Sequence, residues 1–423
     1  MNSYYGTIAE RWEVLSGGTN WQGLIDPLDL ELRKYLIHYG EMAQATYDTF
    51  NADLFSKLAG SSRYSEAHLF SKVGLEKGNP YKYEVTKYLY ATSSHPVPDA
   101  FIVKSIRLDA WSRESNWMGY VAVATDDGKL ELGRRDIVVC WRGTVRTLEW
   151  VNDFDMSLVH APKIFGDGGD QPMVHRGFYS IYTSKNPAFP FNVTSARDQV
   201  PPKFTDLGVN IRVLSEVKRL VELYRNEKVS ITICGHSLGA SLATLNAIDI
   251  MKNVLNETRT AGKAFPVTVF AFASPRIGDS NLRKAYETTP NLHLLRARNV
   301  PDVVPEVPPA TPLTGYTDIG VELTIDVTKS KFVRQPGELF SWHLLEPYLH
   351  GIAGTKGVRS GDGFEPVVNR DFALVNKHLD YLKEKYGIPG KWWIEKNKGM
   401  VQQNDGSWKF MDHEEGYIPT PPP

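Results

Sequence analysis

The sequence predicts an α/β fold with a mostly parallel central sheet, and three observations predict it. From Arg135 onward, short apolar runs alternate with amphipathic segments of helical period. Two of those runs, "DIVVCW" and "VSITIC", are apolar almost without a break, as in strands buried on both faces. Between the second run and a helix rich in small residues stands a Gly-x-Ser-x-Gly box, "GHSLG" at 235–239.

Taken in chain order, the first hundred residues read as a helical lead-in. "DLELRKYLIHYGEMAQATYDTF" places Leu30, Leu32, Leu36, Ile37, Met42 and Ala43 in a pattern that suits an amphipathic helix, with Leu32 and Leu36 four apart and the pairs Leu30/Ile37 and Leu36/Ala43 seven apart. "YEVTKYLYAT", "AFIVKSI" and "WMGYVAVATDD" read as short strands, with "DDGK" as a hairpin turn leading into "DIVVCW". "NIRVLSEVKRLVELYRNE" gathers Val213, Leu214, Val217, Leu220, Val221 and Tyr224 on one helical face. After "VSITIC" and the helix "LGASLATLNAIDIMKNVL" come two more strands, "FPVTVFAFAS" and "NLHLLRARN". Beyond Pro301 the chain is proline-rich, with a strand at "VELTIDV" and helices at "HLLEPYLHGIAG" and "DFALVNKHLDYLKEKYG". The Trp-rich end holds a hairpin-like "NDGS". No polar linker forces a boundary, so 1–423 is expected to be one domain: lead-in to about 100, catalytic core over 130–355, tail over 356–423.

Composition excludes several classes. With 48 basic and 49 acidic residues the net charge is −1, which lacks the basic excess of a nucleic-acid binder. No run reaches the roughly 20 apolar residues of a membrane span. Two cysteines make no disulfide framework; Cys140 and Cys234 both sit in apolar runs and read as buried free thiols of a reducing compartment. The N-terminus lacks a signal-peptide core, so the expected location is the cytoplasm. No His, Cys or Asp cluster has metal-ligand spacing, and no cofactor or calcium site is expected.

The box carries the chemistry. In a nucleophile elbow a serine occupies a strained strand-to-helix turn, and glycines two residues either side let the chains pass closely. Gly235 and Gly239 hold those places around Ser237. The strand–box–helix context predicts an α/β-hydrolase fold, with the Leu238 N–H as one oxyanion donor. His236 adjoins the serine but cannot serve its own neighbour, and a packing role is expected for it. An acid and a base should follow in the order Ser, Asp, His. Asp302 lies just past a strand end between Pro301 and Pro305, whereas Asp279 precedes a helix-like stretch where Asp commonly caps; Asp302 is preferred. The base lies between His343, at a loop-to-helix boundary, and His350, seven residues on and on the same face of any helix joining them; His343 is preferred.

Six pieces in order, "VVCWRGT", "VHRGFYSIY", "ICGHSLGASLATL", "FASPRIGD", "RNVPDVVP" and "HLLEPYLHG", resemble the class 3 (fungal-type) lipase family, more closely its plant phospholipase A1 branch. The resemblance implies Ser237, Asp302 and His343 as the triad and Thr144 as the second oxyanion donor beside Leu238. It implies a lid over "VRTLEWVNDFDMSL", with Leu148, Trp150, Val151 and Phe154 as its apolar face. It implies hydrolysis of the sn-1 ester of a phospholipid, or of an acylglycerol or galactolipid, at a membrane or lipid-droplet surface. A lipase-like binding or signalling module is the reading from another class. His175, in "VHRGFY", is expected to serve packing. The family's fungal members are secreted and disulfide-bonded, and here this chain departs from them.

Overall fold

A computed structural model describes the chain apart from residues 1–5, 100, 108, 111–113, 146–154, 168–170, 199–212, 256–264, 358–362, 394–399, 403, 411–413 and 420–423. Its main sheet has seven strands that lie side by side in chain order: β1 (Tyr83–Ala91), β2 (Asn116–Ala124), β3 (Arg135–Trp141), β4 (Val229–His236), β5 (Val267–Phe272), β6 (Leu292–Asn299) and β7 (Val321–Ile325). β1, β2 and β3 pair antiparallel, and β3 to β7 are parallel. This is the mostly parallel sheet of an α/β-hydrolase fold.

Alternate residues of the buried strands feed two cores. Ile137, Val139, Ile231, Ile233, Val267 and Val269 face one side, under the helices Val213–Leu223 and Leu238–Asn253. Val138, Cys140, Cys234, Phe270 and Phe272 face the other, under α1 (Ile8–Leu15), α2 (Leu30–Thr49) and the helix Leu345–Gly354. A strand covered on both sides needs apolar residues at every position, which is why these runs lack a period of two. Asp29 caps α2 by accepting from the Glu31 and Leu32 N–H groups, and Arg11 holds Asp29 in turn.

Three local expectations give way. "DDGK" is no hairpin turn: it opens the helix Asp126–Leu132, capped by Thr125 and stopped by Gly133 at φ 74°. Of "AFIVKSI", the described residues 101–106 form no strand; Val103 exchanges both backbone groups with the Asn116 side chain instead of with a neighbouring strand. "DFALVNKHLDYLKEKYG" is no helix but two short 3₁₀ turns, Phe372–Asn376 and Glu384–Tyr386. There the Asn376 side chain accepts the Tyr381 and Leu382 N–H groups that a helix would have bonded along its own axis. Among the described residues, no helix is long and apolar enough to cross a membrane.

Candidate active site

Ser237 stands between β4 and the helix Leu238–Asn253 with φ 58° and ψ −129°, a left-handed conformation that L-residues rarely hold. Its N–H donates to Phe272 O, which ties the turn to β5. The flanking glycines are required by space. A β-carbon on Gly235 would stand 2.3 Å from Gly239 O, and one on Gly239 would stand 2.2 Å from Trp141 O. Small residues therefore let the helix start directly against β3 and β4, with Leu238 as its first residue and its N–H free of an intrahelical partner.

The structure brings Asp302 and His343 to this turn. His343 Nε2 lies 2.9 Å from Ser237 Oγ, and His343 Nδ1 lies 2.9 Å from Asp302 Oδ2. A carboxylate only accepts, so Nδ1 carries the proton and Nε2 is left as the acceptor facing the serine hydroxyl. Asp302 follows β6 by three residues and is buried. Burial alone would raise its pKa. His343, then the hydrogen bonds from His343, Tyr348 and the Val304 N–H, outweigh burial and hold the carboxyl below its ordinary value. Tyr348, whose hydroxyl donates to Asp302 at 2.6 Å, escaped the sequence reading; its signal was its place five residues after His343 in the same piece, "HLLEPYLHG".

The other candidates lie elsewhere. Asp279 caps the helix Ser280–Glu287 and accepts the Leu282 and Met173 N–H groups. His350 bonds Ser330 Oγ at 2.8 Å and packs on Phe364. No helix joins the two histidines: one helix ends at His343 and the next starts at Leu345, because Leu344 is extended, with ψ 148°. His175 caps the helix Arg176–Thr183 through Nδ1.

His236 has a defined place beside the base. Its Nε2 lies 2.6 Å from His343 O, which can only accept, so Nε2 bears the hydrogen and Nδ1 accepts the Tyr47 hydroxyl at 2.7 Å. Burial, with His343 second, pushes its pKa down to about 3, so the ring stays neutral and keeps this donor role. Tyr47 belongs to α2, so the N-terminal segment reaches the site.

Against the elbow lies the loop Arg142–Gly143–Thr144. A β-carbon on Gly143 would stand 2.2 Å from Tyr47 Oη, 2.3 Å from His236 O and 3.3 Å from Ser237 Cβ. Glycine there lets the loop lie against the elbow, and Thr144 and Leu238 are both buried. The lid residues Leu148, Trp150, Val151 and Phe154 fall outside the described residues.

A cavity of about 290 Å³ opens on Thr144 and His236 rather than on Ser237 itself, which has no exposed surface. Phe340, Leu344, Leu379 and Trp393 form its apolar wall; Arg63 and His378 are among the polar groups at its margin.

The class 3 lipase family model matches residues 138–311, from β3 through the loop after Asp302. Phospholipase A1-IIgamma of Arabidopsis thaliana is 53% identical over 96% of this chain and 94% of its own length. Phospholipase A1-II 1 of Oryza sativa subsp. indica is 49% identical over 97% and 98%. Among solved structures, Lip2 lipase from Yarrowia lipolytica aligns over 71% of this chain and 81% of its own, with 17% identity and a TM-score of 0.42. At such identity over nearly the whole length, the chain belongs to the class 3 lipases, in the plant phospholipase A1-II group.

Proposed function

We propose that the chain is a phospholipase A1 that hydrolyses the sn-1 acyl ester of a phospholipid through an acyl-enzyme on Ser237. The observation that carries the acyl-transfer part is the hydrogen-bonded line Ser237–His343–Asp302, with both links at 2.9 Å. His343 Nε2 takes the Oγ proton as Oγ attacks the ester carbonyl, and Asp302 holds the resulting imidazolium. The Thr144 and Leu238 N–H groups receive the oxyanion. Collapse expels the lysolipid alcohol, which takes the proton from His343; water then repeats the sequence and releases the fatty acid. The phospholipid part is supported by relatives at 49–53% identity that carry that name. A cavity with an apolar wall and a charged margin beside Thr144 suits an amphiphile presented at a membrane or lipid-droplet surface. Cys140 and Cys234, held 3.2 Å apart on paired strands and free, support a cytoplasmic location.

The test is fatty-acid release from phosphatidylcholine vesicles, galactolipid and triacylglycerol emulsions, alongside fluorophosphonate labelling. Ser237→Ala should abolish both activity and labelling. His343→Ala should lower turnover by about 10⁴, and His350→Ala by less than tenfold. Hydrolysis of neutral lipid alone would overturn the substrate claim. A wild-type protein that takes no fluorophosphonate would point to a binding module instead.

A further inference from the structure

Arg142 is fully buried, and among the described residues it makes no ion pair. Its partners are neutral: Nε donates to Trp117 O at 3.1 Å, Nη1 to Gly143 O at 2.7 Å, and Nη2 approaches Asn116 Oδ1 at 3.4 Å and Met118 Sδ at 3.0 Å. The guanidinium lies over the Phe50 ring at 3.8 Å. The adjacent titratable group is the Tyr47 phenol, which burial keeps protonated. Of the other buried arginines, Arg197 and Arg370 face carboxylates, while Arg33 likewise bonds carbonyl oxygens, those of Ile352, Leu28 and Thr355.

An uncompensated charge in a low-dielectric interior is costly, and folds normally pair it or leave it in water. Here the missing counter-charge has an obvious source. Arg142 grips the carbonyl of the Gly143–Thr144 peptide, whose N–H belongs to Thr144. In a trans peptide the N–H points opposite to the C=O, so a donor fixed on Gly143 O aims the Thr144 N–H away from the guanidinium. A charged donor on that carbonyl also polarises the amide and strengthens its N–H. Ser237 Cβ is 3.3 Å from where a β-carbon on Gly143 would stand, so peptide and nucleophile are neighbours. The one negative charge created in acyl transfer would form at this loop.

We propose that Arg142 is a positioning residue for acyl transfer: its unpaired guanidinium aims and polarises the Gly143–Thr144 peptide, and its charge is compensated only when the oxyanion forms. The proposal rests on the reading of Ser237 and Thr144 given above. It separates stability from turnover, because supplying the guanidinium with a permanent carboxylate stabilises the ground state and removes the advantage of the transition state.

The test therefore keeps Arg142 and compensates it. Met118→Glu places a carboxylate against Nη2, and Met118→Gln is the neutral control of similar shape. Arg142→Lys keeps the charge and loses the fork. Turnover of a p-nitrophenyl ester is measured per active site, counted by fluorophosphonate titration. Binding of a trifluoromethyl ketone, which forms an oxyanion on Ser237, is compared with that of an unreactive ether analogue. Met118→Glu and Arg142→Lys should each lose about 10- to 100-fold in kcat and in ketone affinity. Ether binding should stay within twofold throughout, and Met118→Gln should keep wild-type kcat. Wild-type kcat per titrated site in Met118→Glu, or equal losses of ketone and ether binding, would overturn the proposal. If one variant fails to fold, the other still reads the same quantity. A wild-type protein inert to both ester and probe would sink the reading of the site, an outcome distinct from active variants that match an active wild type.

Discussion

The backbone of Ser237 is held at φ 58° by its surroundings, not by its own preference. Its N–H is committed to Phe272 O, and the glycines on either side leave the turn no room to relax. A non-glycine residue in such a conformation costs about 1–3 kcal/mol. Glycine escapes that cost, whereas alanine keeps the β-carbon that causes it. Ser237→Gly should therefore unfold at higher denaturant than Ser237→Ala, by about 1 kcal/mol, reversing the usual rank of the two residues. Equal midpoints, or a more stable alanine variant, would show that the elbow is unstrained. At this scale the site was largely legible: the box named Ser237, and Pro301 with Pro305 singled out Asp302 as the stiff loop acid. The choice between His343 and His350 was less so, because their separation of seven suggests one helical face. The break at Leu344, which puts them on different helices, is a backbone angle that no residue type announces.

Strands and helices were read well where burial on both faces leaves no choice of residue, as in β3, β4 and β5. They were misread where side chains replace the backbone as hydrogen-bond partners. Asn376 and Asn116 both do so, and a pattern of apolar spacing does not register a polar side chain folded back onto the chain. The segment after Asn376 also anchors the tail. Lys377, buried, pairs with Asp48 of α2 at 2.5 Å, while Arg370 bridges Glu41 of α2 and Glu346 of the helix Leu345–Gly354. Removing one member of a buried pair strands the other, at about 3–5 kcal/mol. Lys377→Met should destabilise by that order, and adding Asp48→Asn to it should recover a good part of the loss. Denaturation of the two single variants and the double variant checks this, since independent sites would simply add.

Across the whole molecule, buried neutral histidines set the response to acid. Burial pushes His38, His236 and His350 down to about 3, and His175 to about 4. The unfolded chain takes those protons near pH 6.5 while the folded one refuses them. Their contribution is thus complete above about pH 6.5 and is lost as pH falls toward the folded values, by up to about 1.4 kcal/mol per unit for each ring. Asp302 and Asp48, with pKa values held down, weaken the fold only once pH drops below the ordinary carboxylate range. Melting temperature should be level from pH 8 to 7 and decline from about 6.5 downward; a level profile to pH 5 would contradict this assignment. The cavity beside Thr144 has a consequence of another kind. Its walls come from residues 44–64, from the loop and elbow at 144–145 and 236, and from 340–393, so the stretch that carries His343 also supplies part of the wall, while 44–64 supplies wall and no member of the triad. Edits within 44–64 would reshape that wall and leave Ser237, Asp302 and His343 in place, whereas edits within 340–393 would reach the base as well.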